Sequence, residues 1–254
     1  MHQVSTIERL VNLVDPQANV ILNMTYEEAL NRLGSGDPER VREIDGQFAL
    51  VHKSGKIVRL ARSIGRPLRY FIAKRHEGPA LIVAERIDQI YDFLKSEGHD
   101  NQFHPSYTRM VPAHYITEIA LLGCPDPNPT YTRFFAPQRN RLPADLDAIG
   151  RAYIGQLATE CSRWLDGIDR QAPIGVLFSG GVDSGAVFLV LYHLLLSRGE
   201  SPARLKAFTL AVDGRGADAE QATKFLEAND LGLFLETIEV ASSDLDIRDA
   251  IRVI

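Results

Sequence analysis

Between an apolar run at residues 174–178 and another beginning at Ala186, the chain places Ser179-Gly180-Gly181-Val182-Asp183-Ser184. The expected frame is a strand followed by a helix, with the hexad at the helix start. The first N–H groups of a helix have no partner within it, and its aligned peptides put partial positive charge there. Gly180 and Gly181 open φ angles closed to other residues and let the oxygens of an anion approach the main chain. Ser179 and Ser184 add hydroxyl donors. Asp183 is out of place beside phosphate unless a divalent cation stands between them, in which case its carboxylate becomes a Mg²⁺ ligand. No lysine follows the glycines, so this is not a GxxxxGK[ST] loop. A plainer reading is open too: a Ser-Gly-Gly turn with Asp183 as cap satisfies a helix end without any ligand.

The surrounding elements must hold such a loop at a sheet edge. Apolar residues Leu146, Ile149, Tyr153, Ile154 and Leu157 recur at helical spacing, which predicts a helix over 144–165. A strand (174–178), a helix (183–197, closed by Arg198-Gly199), a strand (205–212), a helix (217–228) and a strand (233–240) follow, with another helix starting near Asp244. This alternation predicts a parallel sheet with helical crossovers. The helix after Phe178 is apolar almost all round, and the expectation is that it packs between the sheet and the first half of the chain.

The first half is strand-rich. Runs at 47–53, 57–61, 68–73 and 80–84 are separated by turn signals at Ser54-Gly55, Gly65-Arg66-Pro67 and Glu77-Gly78-Pro79, predicting an antiparallel meander. Helices are expected at 26–33, with Thr25 as N-cap and Glu28 three residues on, and at 87–94. Prolines 125, 127, 129, 137 and 143 make the stretch between the halves an extended crossing with few ladder bonds. The boundary is set near Leu142, giving domains 1–142 and 143–254.

The chain has 254 residues, 45% hydrophobic and 24% charged, with a net charge of −5. That balance suits a globular protein and offers phosphate-rich polymers or anionic lipid no general attraction, so nucleic acid is not an expected partner. The apolar stretch 186–196 is too short to span a bilayer, and no secretory signal opens the chain. Cys124 and Cys161 form no CxxC pair, which favours a cytoplasmic location.

With these residues in view, the chain resembles the asparagine synthetase family. Residues 175–184, GVLFSGGVDS, are similar to that family's PP-loop. Ile44-Asp45-Gly46-Gln47-Phe48-Ala49-Leu50 resembles its DGxFA strand. Arg62, Gly65, Pro67 and Leu68 resemble its RDxxGxxPL turn, with shorter gaps and Ser63 in place of the aspartate. Ala84-Glu85 and Val111-Pro112-Ala113-His114 are similar to its SE and PPG segments. The resemblance implies a glutaminase-like (Ntn-type) antiparallel β domain followed by a parallel-sheet PP-loop domain. In it, Ser179, Gly180, Gly181, Val182, Asp183 and Ser184 would hold the pyrophosphate of ATP, with Asp183 on Mg²⁺. The backbones of Leu177, Phe178 and Leu210 would meet adenine. A small-molecule or peptide carboxylate would be adenylated, then taken by ammonia or an amine. β-Lactam synthetases and lasso-peptide cyclases share the plan.

Two departures shape the expectation. The family's glutaminase uses an N-terminal cysteine, whereas residue 2 here is His2, a terminal histidine more often solvated than catalytic, and the chain before Thr25 looks too short for opening strands. Glutamine hydrolysis is therefore expected to be absent. The family's later GxGADE loop has no counterpart before Ile254, since the string at 214–220, GRGADAE, sits where an acidic turn opens a helix. The synthetase domain thus reads as incomplete, finished by further sequence or by a second polypeptide, and the catalytic groups for the acceptor cannot be named. A different class, a non-catalytic ATP-binding or scaffold subunit completing a partner, uses the same hexad. PP-loop modification of RNA fits it less well, given the acidic balance and the missing cysteine pair.

Overall fold

The computed structural model of the chain describes residues 9–73, 79–120, 129–214 and 216–244. Among them it is a mixed α/β protein with six helices and both parallel and antiparallel strands. The chain divides into two compact units, Met1–Arg139 and Asn140–Ile254. No described helix is long and apolar enough to cross a membrane.

The first unit stacks two four-stranded sheets between two helices. Its elements are β1 (Arg9–Asn12), β2 (Val20–Ile21), α1 (Tyr26–Ser35), α2 (Pro38–Arg42), β3 (Gly46–Gln47), β4 (Ala49–Ser54), β5 (Ile57–Arg62), β6 (Arg69–Ala73), β7 (Ala80–Ala84), α3 (Ile87–Ser96), β8 (Arg109–Met110), β9 (Tyr115–Ala120) and β10 (Thr130–Arg133). One sheet runs β10-β9-β5-β4 and the other β1-β7-β6-β8, while β2 and β3 form a small ribbon. Alternation puts Val51, Leu60 and Ile119 of the first sheet against Tyr70, Leu81 and Val83 of the second. The outer face of the first sheet (Leu50, Ala61, Ile116) packs with Ala29 and Leu33 of α1. The outer face of the second (Phe71, Ile82, Ala84) packs with Ile90 and Leu94 of α3. Covered on both faces, β7 is apolar throughout. The N-terminal signal of α1 is realised as a capping box, Glu28 N–H donating to Thr25 Oγ1 (3.3 Å) and Thr25 N–H to Glu28 Oε2 (2.8 Å). That backbone bond holds the Glu28 carboxyl below its usual pKa.

Three expectations change here. The four β runs are two hairpin pairs in different sheets, since β5 pairs with β9 and not with β6. Arg62 fixes the crossing: its guanidinium donates to the carbonyls of Val111 (2.6 Å), Arg66 (3.1 Å) and Ser63 (3.3 Å), holding the turn between the sheets. Short strands do precede Thr25, β1 lying parallel to β7 and β2 pairing with β3. Within the proline-rich stretch, β10 forms ladder pairs with β9, because no proline falls at Thr130–Arg133; residues 121–128 lie outside those described.

The second unit contains α4 (Leu146–Asp166), β11 (Ile174–Leu177), α5 (Val182–Ser197), β12 (Leu205–Val212), α6 (Ala217–Glu227) and β13 (Leu235–Val240). The three strands are parallel in the order β11-β12-β13. Ile174, Val176, Leu205 and Ala207 pack with Phe188, Leu191 and Leu195 of α5 and Ala222 and Leu226 of α6. A second apolar side of α5 meets α4, through Leu165 and Cys161 and an Arg198–Ser162 hydrogen bond (2.8 Å to the carbonyl). Of the stripe that predicted α4, Leu146, Ile149, Tyr153 and Ile154 are exposed and Leu157 is half-buried. The third strand starts at Leu235, after a 3₁₀ turn at Gly232–Phe234, and the helix expected near Asp244 is a 3₁₀ turn at Ser242–Asp244 as far as the described residues go.

In the segment likened to PPG, His114 stands in the glycine's place and holds φ at +65°. Its ring lies edge-on to Phe135 (4.9 Å) and Phe134 (6.0 Å). Burial, then Arg133 and Arg62, push its pKa below the usual value. The neutral ring therefore contributes stability that is fully present above the ordinary histidine pKa of about 6.5 and is lost as pH falls from there through the lowered folded-state value. Asparagine tolerates the left-handed conformation, so His114→Asn is expected to narrow the drop in melting temperature between about pH 7.5 and 5.5. An unchanged drop would show that His114 does not carry it.

Candidate functional site

The hexad lies at the carboxyl edge of the parallel sheet, where open α/β folds bind ligands. Phe178 continues β11, its N–H donating to Phe208 O (2.7 Å). Its ring sits beneath the loop between Phe188 of α5 and Phe225 of α6, both with centroids at 5.6 Å. The chain then leaves the sheet at Ser179, turns at Gly180 and enters α5 with Gly181 as N-cap.

The two glycines do different work. Gly180 adopts φ +72°, and a Cβ there would come within 2.8 Å of Ala222 Cα and overlap the Gln221–Ala222 peptide. Its bare side thus faces α6, a packing demand that stands beside the positive φ expected of this glycine. Gly181 has φ −76° and ψ 170°, within reach of any residue, and a Cβ there would meet only the Ser179 hydroxyl at 3.3 Å. The Gly180 carbonyl accepts a hydrogen bond from Gln221 Nε2 at 3.1 Å. Gly185, one turn into α5, is the place where the Phe225 ring fits against the helix.

Among the described residues no side chain caps α5, so the alternative in which Asp183 serves as N-cap does not describe this helix. Asp183 is instead in the first turn and exposed, as is Val182. The serine hydroxyls close loosely over the turn: Ser179 Oγ and Ser184 Oγ are 3.2 Å apart, Ser184 Oγ accepts from Ser179 N–H (3.3 Å), and Ser179 Oγ accepts from Gly181 N–H (3.4 Å). These long contacts occupy main-chain donors weakly, leaving them for a stronger, charged acceptor.

Leu177 and Leu210 project from the sheet face opposite the helices, at 87% and 50% exposure. Phe178 is the reverse, its side chain buried and only its main chain at the edge. Leu210 lies two residues past Phe208, so alternation turns its main-chain groups toward the β11 side, beyond the end of that strand. The structure therefore brings the six hexad residues to one turn, with the main chains of Leu177, Phe178 and Leu210 along the adjoining edge.

Magnesium fits the residues present in one limited way. No group of three or more His, Cys, Asp and Glu side chains among the described residues is arranged to hold a metal ion. Asp183 alone suits a cation that takes one carboxylate and completes its shell from phosphates and water, which is the habit of Mg²⁺ and not of a protein-caged metal. Two residues at this edge are absent from the sequence-based expectations. Gln221 is one; the other is Asp213, at φ +52°, whose carboxylate accepts from Ser242 N–H (2.8 Å) and whose pKa is lowered by that bond. Asp213-Gly214 carried a turn signal that would have flagged the position. Ala217–Glu227 is a helix whose first turn carries Asp218 and Glu220, as expected of the GRGADAE string. A mostly apolar hollow of about 360 Å³ lined by Cys161, Trp164, Ile174 and Val187 contains none of the hexad.

The family model described as asparagine synthase matches residues 168–254, the segment that holds β11, the hexad, α5, β12, α6 and β13. Over that segment, about a third of the chain, the sequence is similar to asparagine synthase. Comparison with curated proteins gives no match.

Gly180→Ala places a side chain in a left-handed turn against the α6 main chain. It is expected to destabilise the second unit by roughly 2–4 kcal/mol, whereas Gly181→Ala should change it by under about 1 kcal/mol. Urea unfolding followed by the fluorescence of Trp164, the chain's one tryptophan, reads this unit. Equal midpoints for the two variants would contradict the assignment of Gly180 to packing.

Proposed function

We propose that the chain is the ATP-binding part of an AMP-forming ligase that makes carbon–nitrogen bonds, with a first unit that descends from a glutaminase-like (Ntn-type) domain. The observation that carries this reading is the uncapped start of α5 at the carboxyl edge of a parallel sheet, within the segment that matches asparagine synthase. The N–H groups of the first turn and the hydroxyls of Ser179 and Ser184 would grip the pyrophosphate half of ATP. Asp183 would hold Mg²⁺, which supplies charge neutralisation between the phosphates. The main chains of Leu177, Phe178 and Leu210 would receive adenine.

With pyrophosphate so held, a carboxylate substrate attacks the α-phosphorus. The bond to the bridging oxygen breaks, pyrophosphate leaves, and an acyl-adenylate forms. Ammonia or an amine then attacks the acyl carbon, AMP departs, and the amine gives up a proton. The acceptor in this reading is free ammonia or an amine, without glutamine hydrolysis in place. A second polypeptide that completes the domain would supply the groups that deprotonate the acceptor. A cytoplasmic setting is consistent with the cysteine content, and nucleic acid has no part in the scheme.

Calorimetric titration with ATP and Mg²⁺ is expected to show one site that needs both. Where a carboxylate from an amino-acid panel is accepted, labelled pyrophosphate should exchange into ATP only in its presence. Asp183→Ala is expected to lower Mg²⁺-dependent exchange by about 100-fold. No binding of ATP with Mg²⁺ to the wild type sinks the proposal, and binding without exchange under any carboxylate turns the reading to a nucleotide-binding subunit.

A further inference from the structure

We infer that Gln221 is a positioning residue that sets the orientation of the Gly180–Gly181 peptide and thereby aims the Gly181 N–H at the phosphate site. The inference rests on the ATP-binding reading above. It starts from two contacts made by α6 on a turn 41 residues earlier in the chain: the hydrogen bond from Gln221 Nε2 to Gly180 O (3.1 Å), and the close lie of Gly180 on the Gln221–Ala222 main chain.

A peptide unit is planar, and in the trans form its C=O and N–H point in opposite directions. No cis peptide occurs in the described chain. The carbonyl of Gly180 and the N–H of Gly181 belong to the same peptide, so holding the one against α6 turns the other away from α6. On that far side lies the Ser179 hydroxyl, which the Gly181 N–H reaches at 3.4 Å. The Gly180 oxygen can only accept, so the amide nitrogen of Gln221 must face it, and the carboxamide cannot serve equally well reversed.

Such a restraint is needed because of what stands on either side of the peptide. Close packing on α6 demands glycine at 180, and position 181 is glycine too. A peptide between two glycines rotates as a unit at little steric cost, since neither end carries a Cβ. Flipped, it would present the Gly180 carbonyl oxygen where an anion must sit. One hydrogen bond to the carbonyl, from a helix already anchored by Ala222 and Leu226 in the core, selects the orientation with the donor outward. Gln221 itself is exposed and contributes little burial, so its removal acts on the peptide and not on the core.

The test uses the whole chain and displacement of a fluorescent ATP analogue, in Mg²⁺, by inorganic pyrophosphate, by ATP and by adenosine. Gln221→Met keeps length and removes the donor; Gln221→Glu keeps shape and replaces the donor with an acceptor. In Gln221→Met, affinity for pyrophosphate and ATP is expected to fall together by about five- to tenfold. Adenosine affinity and melting temperature should stay at the wild-type values. Gln221→Glu should lose at least as much. A merely structural role would lower adenosine affinity and melting temperature in step, and that result overturns the inference. So does wild-type pyrophosphate affinity in both variants while the wild type binds ATP. A wild type that binds neither ATP nor pyrophosphate is a different failure: it removes the ATP-binding reading, and the role of Gln221 with it.

Discussion

Where Gly180 lies on the main chain of α6, three elements meet with no side chain between them. β11 ends there, α5 begins there, and the second turn of α6 passes behind. The rings of Phe178, Phe188 and Phe225 fill the space directly beneath, one from each element. The contact fixes more than itself. It sets how far the chain rises above the sheet before α5 starts, and so the height at which the first-turn N–H groups stand over the strand ends. It also requires α6 to start close after β12, which is met by the left-handed residues Asp213 and Gly214. The side-chain bond from Asp213 to Ser242 then draws the end of β13 to the same edge.

The expectation of anion binding at the hexad needs only local facts: a helix start, hydroxyls, a carboxylate and missing side chains. The same facts could not say which way each glycine faces. That depends on α6, whose distance along the chain hides the partner, so the packing of Gly180 on the Gln221–Ala222 main chain could not be read from the hexad. Gln221 was invisible for the same reason. A glutamine among acidic residues at the start of a helix carries no signal until its partner is known.

The fold shows a similar split. Element type followed from periodicity, so that Tyr26–Ser35, Ile87–Ser96, Leu146–Asp166, Val182–Ser197 and the three parallel strands lie close to where the pattern puts them. Pairing did not follow. The run Ile57–Arg62 and the run Arg69–Ala73 read as neighbours because a turn signal separates them, yet a turn between packed sheets uses the same residues as a turn within one. Only the three carbonyls gathered by Arg62 distinguish the two. The short β1 was missed because four residues give too little alternation, and it is its pairing with the fully buried β7 that makes it a strand.

The uncapped start of α5 finally makes sense as a balance of magnitudes. A side-chain cap is worth about 1 kcal/mol to a helix and would occupy one of its first N–H groups. Burying a leucine or phenylalanine is worth roughly 1.5–3 kcal/mol, and α5 buries Phe188, Val190, Leu191 and Leu195, with further cover from α4. Packing along its length therefore secures the helix several times over without a cap. A sequence that is apolar almost all round is what allows the first turn to keep its donors unclaimed. In this sense the apolar character of α5, which by itself says nothing of a ligand, is the condition for having a polar site at its end.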